Sequence, residues 1–306
     1  MRIKLSTDRI PSRSFTRIGL LVGVPFSFLV GARALSWAAA QWKTWTDGET
    51  LTAADLNANF AALQNAITLG TSAERAGASC SALRSAGLTL SGAYWVLNPA
   101  AADAMQAGKP VLLFCNQETN GGGWALLQNS VLGPNTMDFW NIPYAARLGR
   151  RGRPSLDASF YDGSLYQTSA ATYMDVIEDL RGASVIAFVA TSDGINNTTM
   201  RFNNPMKTIG DDAVYSIHFA AGWSAPDYDG DTSALNCAAT FSVTQHYGGC
   251  WTYNLGSDAD TSGGDTTDTR VGPHVHKGAM MSLMLTADGP NSEYSRVRRI
   301  SRFVKW

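Results

Sequence analysis

The sequence predicts an α+β domain: short strands, few helices and long loops, preceded by a short amphipathic helix. Three observations carry this. Short apolar runs recur between clusters of Gly, Asp, Ser and Asn, the pattern of strands joined by turns. Helical periodicity is confined to two stretches, near 53–68 and 173–180. Of 306 residues 45% are hydrophobic and 16% charged, which is apolar enough for a core and too weakly charged for a disordered chain.

Taken in order, the chain opens on a targeting segment. Arg2, Lys4, Arg9, Arg13 and Arg17 precede the apolar run Ile18 to Val30, and Ala32-Arg33-Ala34 follows as a small-residue cleavage site, with Ala38-Ala39-Ala40 as a second. This is the pattern of a secretory signal peptide over 1–34. The alternative is an uncleaved N-terminal anchor. Removing 1–34 takes away mostly basic residues and leaves an acidic chain. Residues 35–79 form a linker and helical stem. Trp45 to Glu49 reads as a turn, Thr52 and Asp55 as a capping pair, and Leu56, Phe60, Leu63 and Ile67 as one apolar stripe on a helix of about 53–68. That stripe either docks on the following domain or forms the seam of a homo-oligomer through residues 53–68.

The main domain covers 80–306. Residues 93–97, 111–114, 124–127, 185–189 and 281–285 read as strands. Tyr173, Val176, Ile177 and Leu180 share helical spacing and read as a helix from Tyr173 to Leu180. Residues 192–212 and 256–270 read as loops. The ending reads as a basic strand, with Arg296, Arg298 and Arg302 on one face while Val297, Ile300 and Phe303 pack.

Composition excludes several functions. Net charge is −1, so the strongly basic, phosphate-neutralising footprint of a nucleic-acid binder is not expected. Beyond the N-terminus no apolar run approaches the ~18 residues of a membrane span, so the mature chain has none. No GxSxG, HExxH, P-loop or Cys–His pattern is present, and the reading is that the chain is not an enzyme. The cysteines are Cys80, Cys115, Cys237 and Cys250, without a CxxC, which fits disulfides in an exported protein. Three pairings are possible, and Cys80–Cys115 with Cys237–Cys250, which close modest loops, is the pairing expected.

Asp227, Asp229 and Asp231 alternate around Gly230 and offer hard oxygen ligands to Ca2+. An EF-hand is rejected, because its sixth and twelfth positions are Thr232 and Ala238 rather than Gly and Glu. The acidic stretch with Asp258, Asp260, Asp265 and Asp268 is irregular and reads as a solvated loop. His274 and His276 share one strand face, and without a third ligand read as hydrogen-bonded or surface groups.

The segments Ser91-Gly92-Ala93-Tyr94-Trp95-Val96 and Phe114 to Trp124, the latter holding Cys115-Asn116 and Gly121-Gly122-Gly123-Trp124, resemble the opening of fibrinogen-like C-terminal domains, the GGGW element being that of the bacterial branch. Asn116 replaces the usual Asp. Trp223 to Asp231, Asn236-Cys237-Ala238, a second cysteine 13 residues on, and Tyr253 to Gly256 resemble the second half of the same family, and Ser295 to Trp306 the ending of its bacterial branch. The family includes ficolins, tachylectins and, more distantly, intelectins. The resemblance covers about 80–306 and implies short twisted antiparallel sheets. It also implies a calcium loop in which Asp227 and Asp229 supply side chains and Asp231 and Ser233 main-chain oxygens. A ligand pocket is implied beside the second disulfide, around Phe241, His246, Tyr247, Cys250, Trp251 and Tyr253; Trp251 stands where the family often has His. Separately, residues 46–67 resemble a segment of the stems of phage tail fibres and bacterial surface proteins. The function implied is secreted or cell-surface, calcium-dependent recognition of a glycan or acetylated surface group. The alternative is a structural or adhesin display module that binds a protein partner, with calcium only stabilising.

Overall fold

The computed structural model describes residues 43–133, 136–250, 252–256, 272–276 and 294–306. The signal segment, the strand read at 281–285 and the acidic stretch 258–268 lie outside the described residues.

Helix α1 (Ala53–Thr68) forms on the apolar stripe. Asp55 N donates to Thr52 Oγ1 at 3.1 Å and Thr52 Oγ1 to the Asp55 carboxylate at 2.7 Å, which caps its first turn. Asn59 holds the backbone of Lys43 at 2.9 and 3.1 Å, so residues 43–49 lie back along the helix. Leu56 and Phe60 are 40% and 61% exposed, so this part of the stripe does not dock on the domain. The backbone enters the domain through 69–77, where Trp95 N donates to Gly70 O at 2.8 Å.

The remaining helices are short: α2 (Cys80–Ser85), α3 (Thr136–Trp140), α4 (Asp212–His218) and α5 (Cys237–Phe241). The strands are β1 (Gly92–Leu97), β2 (Pro110–Asn116), β3 (Trp124–Val131), β4 (Arg150–Gly152), β5 (Phe160–Asp162), β6 (Ala171–Glu178), β7 (Ser184–Ser192), β8 (Ile195–Asn196), β9 (Arg201–Phe202) and β10 (Met206–Gly210). They continue with β11 (Gly222–Ser224), β12 (Gln245–Tyr247), β13 (Tyr253–Asn254), β14 (His274–His276), β15 (Tyr294–Arg296) and β16 (Arg299–Lys305). One antiparallel sheet runs β1-β2-β3-β16-β6-β7-β10, with β5 and then β4 branching from β3. Small sheets β8-β9, β11-β12 and β13-β14-β15 complete the pairing among the described residues.

The sheet is buried on both faces. Leu113, Ala125, Leu127, Tyr173, Ile177 and Ile300 enter the main core, while Trp124, Leu126, Met174, Val176, Val189 and Phe303 form a second cluster. The Cys80–Cys115 disulfide ties α2 to β2. Beside it the three glycines 121–123 all have positive φ, and a Cβ on Gly122 would lie 2.2 Å from Gln117 O, so only glycine turns the backbone into Trp124 here.

Three expectations are corrected: residues 192–212, read as a loop, hold β8, β9 and β10, the last an edge strand of the main sheet. Residues 171–178 form β6, not a helix. Odd positions Tyr173 and Ile177 face one core and even positions Met174 and Val176 the other, so the strand shows no polar alternation, and its apolar residues fall by chance at helical spacing. Leu180, counted in the stripe, lies in the following turn and is 52% exposed. Nor do the terminal arginines line one charged face. Arg302 is 1% exposed and ion-paired with Asp175 in the core, its Nε 2.7 Å from Oδ1, while Arg298 and Arg299 both pair with Glu178. The backbone bends between β15 and β16, which breaks the parity the sequence suggests.

Candidate functional site

The loop between β11 and α5 is built by its own polar groups. Asp231 takes Ser224 Oγ and Cys237 N on Oδ2, both at 3.0 Å, and Ser233 N on Oδ1 at 2.9 Å. Ser224 Oγ accepts from Gly230 N at 3.0 Å, and Asn236 both caps α5 through Ala239 N and donates to Ala225 O. The backbone approach is close: a Cβ on Gly222 would sit 1.5 Å from Gly230 O. The Asp231 carboxylate is thus engaged on both oxygens inside the loop. Asp229 is exposed, and exposed Asp227 accepts Tyr144 N on Oδ1 at 2.8 Å, leaving Oδ2. Among the described residues no three His, Cys, Asp or Glu side chains converge as a metal cluster. Any cation here would therefore rest on two carboxylates with main-chain oxygens and water, an oxygen-only donor set that suits Ca2+. Tyr144 stacks on Tyr228 at 4.4 Å, and Arg147 lies 4.1 Å over the Tyr144 ring, giving a half-buried aromatic edge beside Asp227.

The second disulfide, Cys237–Cys250, joins α5 to the segment after β12. Tyr247 packs with Cys237 and Ala238, and half-buried Phe241 borders that cluster. Cys250 has φ 57°, a left-handed conformation that is uncommon outside Gly and Asn. Trp251 lies outside the described residues. His246, Tyr247 and Tyr253 are 2%, 0% and 1% exposed. Their rings serve the interior: His246 Nε2 meets Met200 O at 2.8 Å, Tyr247 donates to Val243 O at 2.7 Å, and Tyr253 donates to Asp175 Oδ2 at 2.5 Å. Of the aromatic group expected to line a pocket, these three are buried in the interior instead.

What holds that segment from below is a buried polar network. Arg302 spans the Asp175 carboxylate and donates to His218 O at 2.6 Å. His218 Nε2 accepts Thr252 N and Tyr253 N, both at 3.0 Å, so the proton of the neutral ring sits on Nδ1, facing His246 O at 3.2 Å. Burial first, and Arg302 as well, lower the His218 pKa to about 3. Burial and then Arg302 push His246 well down too. His218, Asp175 and Arg302 escape a sequence reading based on spacing. The available signal is an Asp inside the apolar run 173–177. His274 is buried on β14 with Nδ1 on Gly272 O, while His276 is half-buried.

The family of the C-terminal globular domain of fibrinogen beta and gamma chains matches residues 76–286. Ficolin-3 of Homo sapiens is 28% identical over 184 residues, which is 58% of this chain and 57% of that protein, so the chain spans little more than half of this relative. The fibrinogen-like globe domain of human ANGPTL2 superposes with a TM-score of 0.50 at 15% identity, covering 75% of this chain and 98% of that one. That of human ANGPTL6 does so with 0.49 at 21% identity, covering 75% and 95%. The match covers more than half the length of the chain, so the protein belongs to the fibrinogen C-terminal globular domain family.

Proposed function

We propose that this protein is an exported recognition module, not an enzyme, which binds a glycan or acetylated surface group on the face carrying loop 225–236 and the Cys237–Cys250 disulfide. The observation that carries this is the division of labour among three aspartates: Asp231 is consumed in building the loop, while Asp227 and Asp229 turn outward beside the Tyr144–Tyr228 edge. Asp227 and Asp229 would hold Ca2+ by side chain, with main-chain oxygens of Asp231 and Ser233; the ion would rigidify the loop and offer a charge to ligand oxygens. Phe241, half-buried beside the Cys237–Cys250 disulfide, is the described aromatic group of the expected pocket left to meet a ligand, while His246, Tyr247 and Tyr253 lie beneath the surface. Relationship to Ficolin-3 supports the ligand class, and two closed disulfides support an oxidising destination such as the cell exterior.

A second reading is favoured by exposed Leu56 and Phe60 on α1. Here residues 53–68 join copies of the protein and the domain is displayed to a protein partner. Calorimetric calcium titration of the protein and of Asp227→Ala/Asp229→Ala, with a glycan array with and without EDTA, separates the two. Saturable, EDTA-sensitive glycan retention lost in the double variant supports recognition. Calcium-dependent melting without glycan retention supports the display module.

A further inference from the structure

A polar cavity lies outside the 222–254 region. It has a volume of about 200 Å3 between the segment after β1, the start of β4 and the end of β5. Val111, Leu148 and Leu165 give it apolar wall, and Asn98, Asp103, Gln106, Arg150 and Asp162 give it polar groups. One of those groups has a buried oxygen without a donor, and a second is a carboxylate bonded on one oxygen only. Asp162 is 2% exposed; Oδ1 takes Ser164 Oγ at 2.6 Å and Ser164 N at 3.1 Å, while the cation nearest Oδ2, Arg150 Nε, stands 3.9 Å away, beyond hydrogen-bond length. Asn98 is also 2% exposed and its buried Oδ1 has no donor at all. Burial, and behind it Asp103, raises the Asp162 pKa despite Ser164 and Arg150, as expected of a carboxylate lacking a full set of donors.

An orphaned buried acceptor is costly, so Asn98 Oδ1 beside the Asp162 carboxylate, whose Oδ2 has its nearest cation at 3.9 Å, points to an occupant that brings O–H or N–H donors. Charge selects its class. Arg150 is anchored by Leu112 O at 2.8 Å and by the Phe160 ring at 5.2 Å, so its positive charge stays at the cavity and disfavours an ammonium. Asp103 and Asp162 disfavour an anion. A hydroxyl both donates to carboxylate and amide oxygens and accepts from guanidinium, and apolar wall suits a C–H face.

We propose that this cavity is a binding site for a small, neutral, hydroxyl-rich ligand, one sugar ring or polyol, donating to Asp162 and Asn98 and accepting from Arg150. The site requires neither calcium nor the 225–236 loop. The test is NMR titration of the full-length protein in EDTA with D-glucose, D-galactose, D-mannose and xylitol, with ethanolamine and acetate as charged probes. Asn98→Leu, which removes the orphan acceptor, and Arg150→Met, at a half-exposed side chain, are compared with Asp227→Ala/Asp229→Ala. The expected result is saturable shifts around residues 98–111 and 148–165 with at least one neutral probe, weakened about tenfold or more by both cavity variants and unchanged by the loop variant. No saturation with any neutral probe, stronger binding of ethanolamine or acetate, or unchanged affinity in folded Arg150→Met overturns the proposal.

Discussion

Acidification from pH 7 to pH 5 is expected to cost the fold about 2 kcal/mol through His218 alone. Its Nε2 accepts two backbone N–H groups, so the ring cannot take a proton without losing both bonds beside Arg302. The folded pKa therefore falls from 6.5 to about 3. The unfolded state binds this proton first, so the stabilising contribution is complete above pH 6.5 and is lost progressively as pH falls towards 3. At pH 5 the unfolded ring is about 1.5 units below its pKa and the folded ring still neutral, and at ~1.4 kcal/mol per unit this gives the figure above. His246, lowered for the same reasons, adds to the loss with the same sign. The assay is urea unfolding at both pH values for the parent protein and for His218→Gln. The variant should lose about 2 kcal/mol less than the parent over this interval. Equal losses in both, or an NMR titration placing His218 in the native protein near its ordinary pKa, would refute the reasoning.

Two further outcomes follow from the same interior. Arg302→Met leaves the Asp175 carboxylate buried and unpaired and should cost about 3–5 kcal/mol, most of it recovered in Arg302→Met/Asp175→Leu; denaturant unfolding checks both, and a single-variant loss under about 1 kcal/mol would contradict the core ion pair. Gly222→Ala forces Gly230 O away from a Cβ built 1.5 Å from it, so thermal melting should fall by the equivalent of about 1–3 kcal/mol and calcium affinity should drop with it, measured by calorimetry on the same sample.

What could be read from the residues was what lies close in sequence. The 93–97, 111–114, 124–127 and 185–189 runs became β1, β2, β3 and β7 because β-branched and aromatic residues bounded by turn formers leave little choice. Residues 53–68 became α1, and the cysteines paired as expected. β6 was misread because burial on both faces erases the alternation that marks a strand. Its β-branched pair Val176-Ile177 was the better guide. The network under 245–254 was invisible because its members, Asp175, His218 and Arg302, come from distant parts of the sequence and meet only when β6, α4 and β16 pack. The aspartate alternation showed which residues share the loop, whereas only geometry shows that Asp231 spends its carboxylate within it.

The place of β16 has a consequence for how the protein is made. The strand lies between β3 and β6, and Ser301 bonds Asn129 across 172 positions. A polypeptide emerging from the ribosome therefore carries two sheet halves with open edges until residues 299–305 arrive. The sheet cannot close before residues 299–305 are available, and closure is slow because it depends on contacts far apart in sequence.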